Sequence, residues 1–266
     1  MILRIVITLV FMVGLASGAG AVTEVRSLPT RPGVTLDFLF ITPDNGLTSH
    51  DALIMFPGGN GTKTFKLMDN GVVHGWNFLV RSSPALSRHG QTIIIVDPPS
   101  DHPTGMGTGF RESSEHAEDI GSLVNYLEII GIDRIFLVGN SRGTISAASV
   151  ASQLPDTSVK GVILTSSLDY DNFMRWLPLE KILKPVLMIH HREDACRVSD
   201  FNEAERTRDF LKITTNVQFV EVNGGTTPMS APCDNLSNHG FFGVEDRAIQ
   251  VINDWIDAGK LPGKPY

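Results

Sequence analysis

Apolar residues are distributed along this chain in two kinds of pattern, and each predicts a different element. "GVTLDFLFITP" (33–43) alternates apolar and polar positions, as a half-buried antiparallel strand at the edge of a sheet does. "DALIMF" (51–56), "TIIIV" (92–96), "RIFLV" (134–138) and "KPVLMIH" (184–190) are instead short continuous apolar runs, which predict parallel strands covered on both faces. "KGVILT" (160–165) and "VQFVEV" (217–222) complete the set. Between them lie helix-period segments over 76–90, 113–131, 144–154, 200–212 and 244–260. The second opens on Ser113-Ser114, spaces Ile120, Leu123, Val124 and Leu127 along one face, and stops at Gly131. The last turns Ile249, Ile252, Trp255 and Ile256 inward and stops at Gly259. Strands alternating with helices predict an α/β fold: a mostly parallel central sheet with helices on both faces. Ligands of such sheets bind at the carboxyl ends of the strands, so functional residues belong just after the apolar runs.

At 266 residues and 42% hydrophobic content the chain can bury a large core, and no internal repeat or low-complexity linker divides it. The start differs from the rest. "MILRIVITLVFMVGLASGAGAV" has one early cation, Arg4, an apolar run from Ile5 to Ala16, and small residues ending Ala19-Gly20-Ala21. That is the layout of a secretory signal cleaved after Ala21, and the run is too short for the ~20 residues that cross a bilayer. The expected organisation is a signal peptide over 1–21, a single domain over 22–266, and a secreted or periplasmic location. "LASGA" places Ala19 where a lipoprotein signal has its lipidated cysteine, so no stable membrane anchor is expected. The formal net charge is −7, and losing the leader removes Arg4 and no acid. With no Lys/Arg cluster either, such a surface excludes nucleic acid as a partner.

Chemistry enters at "RIFLVGNSRGTISAASVA" (134–151). Gly139-Asn140-Ser141-Arg142-Gly143 is a GxSxG pentapeptide, commonplace alone but informative between a strand and a small-residue helix. A sharp strand-to-helix turn crowds the backbone around its central residue, so the flanking positions require glycine, and the serine projects above the sheet edge. Over nearly all of the mature sequence the chain resembles the α/β-hydrolase superfamily, esterase- and lipase-like serine hydrolases included.

That resemblance implies a nucleophile, Ser141, followed in chain order by an acid and a histidine base. Of the histidines after Ser141, His190 and His191 end a strand as neighbours pointing to opposite faces, which suits packing roles. His239, in the polar loop "CDNLSNHGFFGVE", stands where the family has its base. Asp194 ends the strand "KPVLMIHHRED" and is the expected acid; Asp169, after the preceding strand, is its rival. Asp97 and Asp101 precede the serine and break the order. The oxyanion hole is expected from the Arg142 amide and from Gly59 in "FPGGNGTKT", where Pro57 replaces the histidine of many esterases. "GMGTGF" (105–110) reads as a loop rimming the site. The segment 166–184 offers Phe173, Met174 and Trp176 as an apolar wall, so the cap is expected to be small or minimal.

Export lets the two cysteines pair. Cys196 is two residues after Asp194 and Cys233 six before His239, so a Cys196–Cys233 disulfide would tie the acid loop to the base loop. No HExxH, paired CxxC, phosphate loop or early GxGxxG is present in the sequence, so no metal or other cofactor is expected. The function these residues point to is hydrolysis of carboxylic esters through an acyl-enzyme, with a small-molecule or acyl ester as substrate. The same triad also serves acyltransferases and peptidases, and a binding protein could retain the fold without catalysis. Oligomeric state is not legible here.

Overall fold

The computed structural model describes residues 22–43, 49–63, 65–71, 73–154, 158–169, 174, 176–213, 215–259 and 261. The leader, its cleavage site and Phe173 lie outside the described residues. Among the described residues ten strands and six α-helices follow one another: β1 (Thr23–Arg31), β2 (Val34–Ile41), β3 (Asp51–Phe56), β4 (Lys66–Leu67), β5 (Val73–His74), α1 (Phe78–Arg88), β6 (Thr92–Val96), α2 (Thr108–Arg111), α3 (Ser114–Ile129), β7 (Arg134–Asn140), α4 (Gly143–Gln153), β8 (Val159–Thr165), β9 (Val186–His191), α5 (Phe201–Leu211), β10 (Val217–Val222) and α6 (Glu245–Ala258).

Eight strands form one sheet in the order β1-β2-β6-β3-β7-β8-β9-β10. From β6 to β10 neighbouring strands are parallel, whereas β2 runs antiparallel to both β1 and β6. The continuous apolar runs are explained by the two-faced burial. In β7, Ile135 and Leu137 join the core beneath α3, α4 and α5, while Phe136 and Val138 join the core beneath α1 and α6. A period of two sends alternate residues to opposite faces, and helices cover both.

One expectation about the sheet needs correcting. The alternating segment 33–43 is β2, and it is not the edge; β1 covers its outer side. β1 ("TEVRSLPTR") has too few apolar residues to announce itself. It is held by pairing with β2, by the Arg26 guanidinium 3.5 Å above the Phe40 ring, and by Arg26 Nη1 donating to Tyr126 Oη at 2.8 Å. Pro29, which cannot donate to a second neighbour, is tolerated because β1 is the true edge.

The helices follow the pattern of capping and burial read from the sequence. Ser113 Oγ accepts the His116 amide at the start of α3, and Ile120, Leu123, Val124 and Leu127 are fully buried. Gly259 closes α6 in the left-handed conformation. The consequence for function is that the carboxyl ends of β3, β7, β8 and β9 lie side by side at one rim.

Candidate active site

Ser141 occupies a strained turn between β7 and α4. Its φ is 53°, left-handed for a residue with a Cβ, and its amide donates to Thr165 O at 3.0 Å. Thr144 Oγ1 closes the turn from the other side by donating to Ser141 O at 2.6 Å. The flanking glycines are required by contact rather than by dihedral angle. A Cβ on Gly139 would lie 2.5 Å from Gly143 O, and one on Gly143 only 1.8 Å from Phe56 O. The helix therefore starts directly against the end of β3, with the serine at its amino terminus.

His239 sits in a 3₁₀ turn, Asn238–Gly240, which follows the loop after β10. Ser237 Oγ accepts its amide, and Ser166 Oγ donates to its carbonyl at 2.7 Å. Ser166, at the end of β8, and Phe241, just past the histidine, are the other two non-glycine residues with positive φ among those described, at 45° and 58°. All three strained residues thus surround the candidate site, as functional strain does. His239 Nδ1 lies 2.8 Å from Asp194 Oδ2. A carboxylate there makes Nδ1 the protonated nitrogen and leaves Nε2 as an acceptor.

Asp194 is buried. Desolvation pushes its carboxyl up, but hydrogen bonds from His190 and His239 outweigh this and hold it at about 2, against 3.8 for an ordinary aspartate. His190 Nε2 is 3.0 Å from Ser199 O and 3.5 Å from Asp194 Oδ2, and the Cys196 amide donates to Oδ1 at 2.9 Å. His191 points the other way: Nε2 donates to Gly224 O and Nδ1 accepts the Glu193 amide. It thereby shapes the turn that carries Asp194, whose amide donates to His191 O at 3.1 Å. The rival, Asp169, takes the Met174 amide on Oδ1 and the Thr207 hydroxyl on Oδ2, and His239 Nδ1 pairs with Asp194 instead. Asp97 pairs with Lys63 and Asp101 with Arg31.

The depressed Asp194 value makes a pH prediction. A carboxyl whose folded pKa lies below its unfolded one contributes stability above pH 3.8 and loses it as pH falls toward 2. Acid unfolding followed by circular dichroism is expected to show stability dropping through that window, with a shallower drop in Asp194→Asn. Equal slopes would contradict the ionised pair.

A cleft of about 280 Å³ joins these parts, lined among others by Gly58, Gly59, Asn60, Asn140, Ser141 and His239. The Ser141 hydroxyl and His239 share it without a direct hydrogen bond in this state, as is common before substrate binds. Gly58 presses on the serine: a Cβ there would sit 2.9 Å from Ser141 Cβ. The Arg142 amide has no protein acceptor among the described residues. Its side chain is spent on the glycine-rich loop, Nη1 reaching Asn60 Oδ1 at 3.0 Å and Gly59 O at 3.3 Å.

Several supporting residues escaped the sequence reading. Arg111 is fully buried and ties the glycine-rich loop to α4, donating to Pro57 O at 3.0 Å, Ser146 Oγ at 2.9 Å and Met106 O at 3.1 Å. Burial, then the like charge of Arg142, pulls its guanidinium down to about 9, still cationic at neutral pH. The segment 105–110 is not a loop at the rim of the cleft: it runs into α2 and packs behind 57–62, with Met106 buried and its amide on Gly61 O. Asn77 Nδ2 donates to Asn140 Oδ1 at 3.0 Å, bracing the residue before Ser141. The expected apolar wall is also elsewhere: Met174 is buried in the core, Trp176 is outside the cleft lining, and the aromatic residue at the cleft is Trp76. A lone Arg, Asn or Trp at such positions has no period or spacing that could have marked it.

Cys196 and Cys233, 37 positions apart in sequence, are joined by a disulfide with Cα atoms 4.5 Å apart. Cys233 lines the cleft and Cys196 is buried beside Asp194. Closing a loop of that length stabilises by roughly 4 kcal/mol in the chain-entropy model. Replacing both cysteines by serine is expected to lower the thermal transition accordingly and to lower kcat, measured by calorimetry and ester hydrolysis. An unchanged transition would remove the bridge from the list of stabilising features.

These elements define the class: a mixed, mostly parallel sheet with a strained serine after a central strand and a histidine–carboxylate pair on neighbouring loops. A family profile described as the alpha/beta hydrolase fold matches residues 51–207, more than half of the chain, and the chain belongs to that family. Among solved structures, an esterase of Pyrococcus furiosus is similar with a TM-score of 0.60 and 15% identity, over 88% of this chain and 93% of that one. A serine hydrolase without lid from Xanthomonas campestris gives 0.55 and 14%, over 95% and 100%. An alpha-beta serine hydrolase homologue from Coxiella burnetii gives 0.60 and 18%, over 90% and 98%. No curated protein sequence matches the chain. No helix among the described residues is long and apolar enough to cross a membrane.

Proposed function

We propose that this α/β hydrolase is an exported serine esterase, a single domain over residues 22–266 released from a signal peptide over 1–21, with Ser141 as nucleophile, His239 as base and Asp194 as acid. The observation that carries the proposal is the 2.8 Å contact between His239 Nδ1 and the ionised Asp194, at a cleft that Ser141 also lines. His239 Nε2 takes the proton as Ser141 Oγ bonds to the acyl carbon. The tetrahedral oxyanion is held by the amides of Arg142 and Gly59, one such donor being worth ~3 kcal/mol. The leaving alcohol receives the proton from His239. Water, deprotonated by the same nitrogen, then releases the acid and returns Ser141 to its hydroxyl.

Asp194 keeps the imidazole in the tautomer this cycle needs. The disulfide holds the acid and base loops at one spacing, which matters because both residues stand on loops rather than inside strands or helices. A fluorophosphonate probe with peptide mapping tests the assignment. Labelling confined to Ser141 in the folded protein, and lost on unfolding, is the expected result. An unlabelled Ser141 in folded protein would point to a binding protein that retained the fold.

A further inference from the structure

The lining of the cleft differs from that of a site for fatty acyl chains. Among the described residues it has no Leu, Ile, Val, Met or Phe; its large apolar surface is Trp76, which is 68% exposed and stands at the mouth. Around it are side chains with hydrogen-bonding capacity left over. Asn60 gives Oδ1 to Arg142 and keeps its amide N–H groups, while Thr62, Asp234 and Asn235 line the same cleft with no side-chain partner among the described residues. At about 280 Å³ the cleft is at or below the small end of the ~300–1,000 Å³ typical of drug-sized ligands.

We infer that the cleft takes short acyl esters, acetate above all, of a polyhydroxylated, sugar-like alcohol. This rests on the esterase proposal above and names the substrate class of that same site. Each methylene of an acyl chain gains its ~0.8 kcal/mol only where apolar surface receives it, and among the described residues the lining of this cleft offers no aliphatic side chain to do so. A pyranose ring has an apolar face of C–H bonds that lies flat on an indole and a rim of hydroxyls that both donate and accept. Trp76 meets the face. Asp234 accepts from hydroxyls, and the amides of Asn60 and Asn235 donate to and accept from the rim. A quaternary ammonium alcohol would also suit a tryptophan beside a carboxylate, but it has no use for the amides and is recognised by several aromatic walls, not one. In the reaction, the bond from Ser141 Oγ to the acetyl carbon forms as the bond to the sugar oxygen breaks. That oxygen takes the proton held by His239, and water supplies the oxygen of the acetate released.

The test compares kcat/KM of the mature protein on ethyl acetate, ethyl octanoate, acetylcholine and a methyl glucoside bearing acetyl groups. The acetylated glucoside is expected to exceed ethyl acetate by about tenfold or more, with no gain for the octanoate. Trp76→Ala and Asn235→Ala, both changes at the cleft surface, are each expected to cut the ratio of glucoside to ethyl acetate by roughly tenfold. Preference for octanoate or acetylcholine, or variants that slow every ester equally, would overturn the substrate class while ester hydrolysis stands. If no ester is cleaved and the fluorophosphonate leaves Ser141 unlabelled, the esterase assignment falls and the substrate class with it.

Discussion

Ser141→Ala is expected to slow ester hydrolysis by ~10⁴-fold or more while leaving the thermal transition within about 1 kcal/mol of the unsubstituted protein. The separation of the two effects has a structural cause. The Ser141 hydroxyl makes no hydrogen bond among the described residues, so its removal breaks no tie that stabilises the fold. Alanine also bears the same left-handed strain, since it too has a Cβ at φ 53°. In the proposed mechanism what disappears is the atom that bonds to the acyl carbon, while the Arg142 and Gly59 amides remain and are expected to sustain a small residual rate. Initial rates on ethyl acetate and a calorimetric scan of both proteins measure the two quantities. A loss under tenfold would take Ser141 out of the nucleophile's role, whatever the fold.

Gly143→Ala is expected to do the reverse, with a large cost in stability and activity lost as a consequence. The added methyl would lie 1.8 Å from Phe56 O, 2.7 Å from Phe56 C and 3.1 Å from Pro57 C. None of these atoms can yield cheaply. Phe56 ends β3, which is paired on both sides with β6 and β7, and Pro57 O is held by the buried Arg111. Relief therefore requires α4 to move away from the centre of the sheet, at a cost of about 4 kcal/mol or more. For a domain of this size that is a fall of roughly 10 °C in Tm. Gly109→Ala, at a helical position with open space around the new methyl, is the control and is expected to change stability by less than about 0.5 kcal/mol. If Gly143→Ala were as mild as Gly109→Ala, the close approach of α4 to β3 would be wrong.

Much of the fold was legible because burial leaves a period. The runs 51–56, 92–96 and 217–222 coincide with β3, β6 and β10, and all five helical segments appear within a residue or two of their expected ends. β1 was not legible, since an edge strand held by backbone pairing and one stacked arginine needs no apolar pattern. For the site, spacing and chain order were sufficient to nominate Ser141, Asp194 and His239. They favoured Asp194 and kept Asp169 as its rival, because the two follow neighbouring strands and offer the same chemistry. In the structure His239 Nδ1 lies 2.8 Å from Asp194 Oδ2, and Asp169 Oδ2 accepts the Thr207 hydroxyl, which is why Asp194 is the acid proposed.

By itself the amino-acid sequence determined the order of the apolar central strands and the five longer helices, the turn that needs glycine on both sides of Ser141, and the residue types available at one rim of the sheet. These follow from local sterics and from which residues tolerate water, and both are written in nearest-neighbour order. Only the tertiary structure decided which carboxylate meets the imidazole, that Arg142 grips the glycine-rich loop, that Arg111 braces that loop from behind, and that Trp76 stands at the mouth of the cleft. Each of those depends on contacts between residues far apart in the chain, where direction and distance, rather than composition, set the interaction.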